Sequence, residues 1–367
     1  MEPVSITTRL KALRQGLAKK NFDALLVVNE SNVSYMSGYT NRESFLFISG
    51  DKCGSANIFI TDFRYTEQAE AECPDYNIIL YRNPNPTLPE RLTELCAAYG
   101  VKRLAFERAH IGFGLYDDIH AAIKETEFLP SENLIEDLRY VKDAAETERL
   151  RRACTCTDKV FADVCGCIKP GLSEKDVEWA LLQSVHEHGC EPSFPFIVVS
   201  GSRGSLPHGV AGDKKLAAGE FVTMDFGCMY RGYHADMTRT VFIGEPTSEQ
   251  RRLYDIVLAA NKVGEETVRD GAPADKVDAA VREYIAGQGY GENFGHGLGH
   301  GVGLDIHERP FMSRISKDTL KKGCLITVEP GIYLPGQCGI RIEDTVLVKE
   351  DGCENLFSSP KELLCLQ

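Results

Sequence analysis

Apolar positions in the first third of the chain follow two periods. Residues 8–20 repeat at helical spacing, whereas Asp23-Ala-Leu-Leu-Val-Val-Asn29 is an unbroken apolar run between polar residues and reads as a buried strand. Further strand-like runs lie at Ser44–Ser49, Ala56–Thr61, Tyr76–Tyr81 and Arg103–Phe106, with helical patterns at Leu88–Tyr99 and Leu115–Glu125. Such alternation predicts a small α/β domain. It contains no glycine-rich phosphate loop and no nucleophile elbow, and taken alone this region does not reveal a function. A long helical pattern, Ala145–Ile168, follows the segment Asp137–Lys142. The domain boundary is expected there, giving residues 1–140 and 141–367.

The second region repeats itself. Gly171-Leu-Ser-Glu-Lys-Asp-Val177 resembles Gly271-Ala-Pro-Ala-Asp-Lys-Val277, an offset of 100 residues. Each opens a helical stretch, the stretches end at Gly189 and Gly289, and Phe194 and Phe294 follow at the same offset. Further on, Gly219-Glu-Phe-Val-Thr-Met-Asp225 matches Gly323-Cys-Leu-Ile-Thr-Val-Glu329, and Asp236-Met-Thr238 matches Glu343-Asp-Thr345. Each half therefore reads as helices followed by a strand pair that carries two acids. Two such halves facing each other would bring four carboxylates to one cleft.

Side chains alternate across a strand. In Val222-Thr-Met-Asp-Phe226 the apolar residues share one face, and Thr223 and Asp225 share the other; Thr327 and Glu329 pair in the same way. Carboxylates inside apolar strands are costly unless paired or bound to a metal. Taken singly, each acid fits a salt bridge at a strand end. Four at repeated positions point to divalent cations, which relieve their mutual repulsion.

Histidines add to this pattern. Gly295-His-Gly-Leu-Gly-His-Gly-Val-Gly-Leu-Asp-Ile-His-Glu-Arg-Pro310 holds three of the nine histidines, His296, His300 and His307. The interleaved glycines serve neither helix nor strand stability and imply close backbone approach. One neutral imidazole can complete a carboxylate-rich metal site. His208 lies in a loop-like segment, Ser205-Leu-Pro-His-Gly209. His234, two residues before Asp236, is either a further ligand or a cross-strand packing residue, and packing is preferred.

Composition narrows the class. The chain is 43% hydrophobic and 26% charged with a formal net charge of −13, which argues against nucleic-acid binding. No apolar run is long enough for a membrane span, and the N-terminus has no signal-peptide core. The 13 cysteines are an odd number, and Cys154-x-Cys156 and Cys165-x-Cys167 lack zinc-ribbon spacing. Free thiols in a reducing cytoplasm are the expectation.

The ordered set His208, Asp225, Asp236, His300, His307, Glu329, Glu343 resembles the pita-bread metallopeptidases, a group that includes methionine aminopeptidase, aminopeptidase P, prolidase and the metal-free creatinases. The resemblance covers the whole second region, and residues 1–140 resemble the creatinase/prolidase type of N-terminal domain. It implies an α/β N-terminal domain followed by an α+β pita-bread catalytic domain with a pseudo-twofold internal repeat. It also implies two divalent ions, manganese first, with zinc, cobalt or iron as alternatives. By this likeness Asp225, Asp236, His300, Glu329 and Glu343 are the ligands, with Asp236 and Glu343 bridging. Glu329 also takes the water's proton, His208 and His307 handle substrate and tetrahedral intermediate, and His296 lines a proline pocket. Arg341, two residues before Glu343, would brace a ligand or contact substrate.

The N-terminal domain argues against a methionine aminopeptidase, and the intact ligand set argues against a creatinase or a silent binding module. A proline-directed exopeptidase remains: either an Xaa-Pro aminopeptidase or an Xaa-Pro dipeptidase. Prolidases often place an arginine directly after His-Glu-x-Pro; here that residue is Phe311, and Arg309 and Arg314 are not at the matching place. The expectation is therefore an aminopeptidase acting on peptides with proline second. A homodimer is expected from the resemblance alone.

Overall fold

The computed structural model describes residues 5–82 and 84–367 and separates into two units, one ending at Arg139 and one spanning Tyr140–Gln367. In the first, six strands form one mixed sheet: β1 (Ala24–Val27), β2 (Phe45–Ser49), β3 (Asn57–Thr61), β4 (Asn77–Leu80), β5 (Arg103–Glu107) and β6 (Glu127–Ser131). Their order is β4-β3-β2-β1-β5-β6, with β1–β2–β3 antiparallel and the other neighbours parallel. The apolar run that predicted β1 lies near the middle of the sheet and is buried at all four positions.

Among the elements here that escaped the sequence pattern, two show why. Strand β6 contains Pro130, which breaks a strand signal; it lies at the sheet edge, where a missing N–H costs least. The helix Glu30–Ser37 is short and rich in polar residues, and Asn29 starts it by accepting the Asn32 N–H at 2.8 Å.

The second unit shows the repeat in three dimensions. Its strands are β7 (Glu191–Pro192), β8 (Ile197–Ser200), β9 (Phe221–Phe226), β10 (Cys228–Tyr230), β11 (Tyr233–His234), β12 (Met237–Ile243), β13 (Gly299–Gly301), β14 (Glu308–Met312), β15 (Leu325–Val328), β16 (Gly331–Leu334), β17 (Cys338–Arg341), β18 (Asp344–Lys349), β19 (Gly352–Asn355) and β20 (Cys365–Leu366). The first half builds the sheet β12-β9-β8, to which the C-terminal β20 adds an edge beside β12, and the second builds β14-β13-β15-β18-β19. Helices Ala144–Cys165 and Glu174–Glu187 pack with the first; Ser248–Thr267 and Ala274–Gly287 pack with the second.

Local chemistry sets the helix starts. Asp143 with Glu146, Ser173 with Asp176 and Thr247 with Gln250 form reciprocal caps. Each half has its own apolar core: Val160, Leu181 and Met224 belong to one, and Val257, Val281 and Ile326 to the other. Burying such a side chain stabilises by roughly 1.5–3 kcal/mol. Isolated bridges Ser173↔Lys215 and Pro273↔Thr319 occupy corresponding places in the two halves. Among the described residues no helix is long and apolar enough to cross a membrane.

Candidate active site

Four acids stand at the ends of two strand ladders. Asp225 is in β9 opposite Thr238 of β12, Asp236 immediately precedes β12, Glu329 immediately follows β15, and Glu343 immediately precedes β18. Hydrogen bonds between the halves bring these ends together. The Glu343 N–H donates to the Thr238 carbonyl at 3.1 Å, and the Thr238 hydroxyl donates to Glu343 Oε2 at 2.6 Å. Thr345 donates to the Asp236 carbonyl at 3.0 Å, and Thr240 to the Arg341 carbonyl at 2.9 Å.

His300 enters from β13. Its Nε2 lies 3.5 Å from Asp236 Oδ2 and 3.4 Å from Glu329 Oε1, while Nδ1 is 3.0 Å from the Gly301 carbonyl. Donor atoms of Asp236, His300 and Glu343 lie within 4.8 Å of one another. Asp225 Oδ2 accepts from Arg341 Nη2 at 2.5 Å, whereas its Oδ1 is buried without a hydrogen-bond partner among the described residues.

The electrostatics of this cluster call for a cation. Burial, then Glu343, Asp225 and Glu329, raises the Asp236 carboxyl far above the usual range. Burial likewise raises Glu343, with Glu329 and Asp225 adding to it, and pushes Glu329 up to about 8. Burial, with His307 beside it, lowers His300 to about 3, so its imidazole is neutral and free to donate a lone pair. Carboxylate oxygens, an orphaned buried oxygen and one neutral imidazole fit a hard or borderline divalent ion.

The glycines make room for this arrangement. A methyl group on Gly301 would come within 2.5 Å of the Arg309 carbonyl, and one on Gly299 would fall on the Thr327 carbonyl. Close approach between strands, rather than an unusual backbone angle, explains the alternation. The segment is also anchored by Asp278, which accepts the Leu298 N–H at 3.0 Å, and by Arg282, which donates to the His296 carbonyl and pairs with Asp278 at 2.6 Å.

A cavity of about 690 Å³ opens over the acids, and His208, His296 and His307 line it. The His300 and His307 rings meet edge to face at 4.3 Å. His296 Nε2 is 2.8 Å from the Tyr333 hydroxyl, and burial lowers this histidine to about 4, with Arg341 adding to the effect. Arg341 is 4% exposed and donates to Thr238 Oγ1, the Pro207 carbonyl, Tyr333 Oη and Asp225. It thus braces an acid of the cluster.

Some groups were not visible in the sequence. Arg239 is buried and donates to the Glu343 carbonyl at 2.6 Å and to Asp344 Oδ1 at 2.7 Å, fixing the backbone that carries Glu343. Tyr333 links His296 to Arg341. Neither had a local signal, because each partner comes from a different strand or loop. His234 stands apart from the cluster: its Nδ1 lies 2.9 Å from the Ser193 carbonyl, and the chain leaves β11 before reaching Asp236.

Comparison with known proteins agrees with this architecture. Residues 148–350 match the model of metallopeptidase family M24, and residues 9–141 match the creatinase/prolidase N-terminal domain. A Bacillus subtilis (strain 168) protein called Uncharacterized peptidase YqhT is 39% identical over 98% of this chain and 100% of its own length. A solved structure described as Xaa-Pro dipeptidase from Bacillus anthracis has a TM-score of 0.94 at 37% identity, covering 99% of this chain and 100% of that one. Another, X-Pro aminopeptidase from Thermotoga maritima MSB8, has a TM-score of 0.89 at 34% identity, covering 97% and 99%. With the repeat, the acids and the histidines on the same fold, the chain belongs to metallopeptidase family M24.

Proposed function

We propose that this protein is a two-metal exopeptidase that cuts the bond between an N-terminal residue and a following proline. The observation that carries the reading is the convergence of Asp236, His300 and Glu343 beside the unpartnered Asp225 oxygen. Asp225, Asp236, His300, Glu329 and Glu343 would hold two divalent ions, with manganese the first choice. Bound there, the ions would polarise the scissile carbonyl and ready a water for attack at neutral pH.

The remaining chemistry falls to the chain's own side chains. Glu329, which lines the cavity with its Oε1 3.4 Å from His300 Nε2, is the carboxylate that would take the proton of the attacking water. His307 and His208 line the cavity and are exposed, as groups that touch the substrate carbonyl and the departing proline nitrogen must be. Partial desolvation in the cavity holds the His307 imidazole below its ordinary range, although Asp225 opposes the shift. His296, held by Tyr333 and packed edge to face on Phe294, would offer its ring to proline in a cavity that the apolar Phe194 also lines.

A second reading, an Xaa-Pro dipeptidase, is favoured by the description of the Bacillus anthracis structure. Phe311 and Arg309 oppose it. Phe311, opposite His300 across the strands, supplies no cation at the position where prolidases often have an arginine, and Arg309 is bound to Asp318 at 2.6 Å. Cleavage of Xaa-Pro, Xaa-Pro-Yaa and Xaa-Ala-Yaa by metal-stripped protein, with and without added manganese, separates the readings. Metal-dependent cleavage of Xaa-Pro-Yaa supports the aminopeptidase, preference for Xaa-Pro the dipeptidase, and no cleavage of any peptide refutes both.

A further inference from the structure

We propose that Lys317 reads a carboxylate on the residue after proline, so that the preferred substrates are short Xaa-Pro-Yaa peptides bearing that charge. The inference rests on the exopeptidase reading above and names its substrate class.

The cavity runs from the acid cluster to the segment Phe311–Asp318. Two of its lining residues carry a fixed positive charge, Arg341 and Lys317. Arg341 is buried and engaged with Asp225 and three other acceptors. Lys317 is exposed and makes no side-chain hydrogen bond or ion pair among the described residues. The nearby acid does not neutralise it: Asp318 accepts from Arg309 at 2.6 and 3.1 Å and from the Phe311 N–H at 3.1 Å.

Those same bonds fix where Lys317 stands. Asp318 ties the loop back to β14, and the Ser316 N–H closes a turn onto the Ser313 carbonyl at 3.1 Å. Only the flexible lysine stem is free to move. Phe311, on the His300 side of that wall, provides apolar contact and no charge. A carboxylate on proline itself would stay within one residue of the scissile bond, on the part of the wall where Phe311 stands opposite His300. One residue further along an extended peptide adds about 3.3 Å and carries the charge away from the acids, towards an exposed part of the wall such as the one Lys317 provides.

The test compares Xaa-Pro-Gly, Xaa-Pro-Gly-amide and Xaa-Pro-Glu-amide with the metal-loaded protein. A KM about fivefold lower for the acid than for the amide is expected, the size of a favourable exposed ion pair. Lys317→Met should bring that ratio to one, and Lys317→Arg should restore it. The Glu-amide arm tells a terminal carboxylate from a side-chain one: a low KM there means both are read. No acid-over-amide preference, or a preference that Lys317→Met leaves intact, overturns the proposal. Calorimetric binding of the products Pro-Gly and Pro-Gly-amide decides it without turnover. Carboxylate-dependent binding without cleavage would sink the exopeptidase reading alone; cleavage without acid–amide discrimination would sink this one alone.

Discussion

Thr238 of the first repeat donates its hydroxyl to the Glu343 carboxylate of the second at 2.6 Å, while its counterpart Thr345 donates to the Asp236 carbonyl at 3.0 Å. The two halves thus orient each other's acids through equivalent threonines. A hydrogen bond to a carboxylate is worth about 1.5–3 kcal/mol, enough to fix one side-chain orientation in a buried site.

Removing one charge of the cluster tests the metal assignment. Asp236→Asn and Glu343→Gln each replace a carboxylate oxygen with an amide nitrogen that cannot bind a cation. Both variants should lose metal uptake and activity together, with turnover down at least ~100-fold. Metal analysis of the purified variants checks this, and full turnover in either would rule out a dinuclear site built on these residues.

Metal uptake should release protons. Asp236, Glu343 and Glu329 are raised by burial and by one another, Glu329 to about 8. Each must ionise to bind a cation, so below about 8 the cation competes with a proton and affinity falls as pH falls; above it the Glu329 share of the competition is gone. Manganese titrations in buffers of different ionisation enthalpy should give net proton release at pH 7. Zero release would contradict the raised carboxyls.

Arg239→Met should destabilise the catalytic unit. The variant removes one of two cations from the buried Asp344, leaving Lys361 at 3.1 Å, a loss of about 1.5–3 kcal/mol for a charge-assisted hydrogen bond, and frees the Glu343 carbonyl. Denaturant unfolding measures the first effect and metal affinity the second. A variant as stable as the parent would show that the pair is energetically neutral.

His208→Ala should separate binding from chemistry. His208 lines the cavity and is exposed, and the proposed reading gives it to the substrate rather than to the ions. Metal content should persist while turnover falls ~100-fold or more, the range of a lost acid–base group. Parallel loss of metal and rate would make His208 a ligand or a structural residue.

By itself the sequence determined the strand-forming runs, the duplicated helix–strand pattern and the identity of the acids and histidines. These are local properties: side-chain period, capping residues and glycine spacing act over a few positions. Tertiary structure decided which groups meet. Arg239 finds Asp344, and Arg341 finds Asp225, across more than a hundred residues of chain, and no periodicity encodes such pairs. The same holds for Tyr333 bridging His296 and Arg341, for His234 turning to Ser193, and for β6, accepted as a strand only because an edge position tolerates Pro130. Partner choice across a sheet is set by register and packing, which exist only once both halves have folded onto each other.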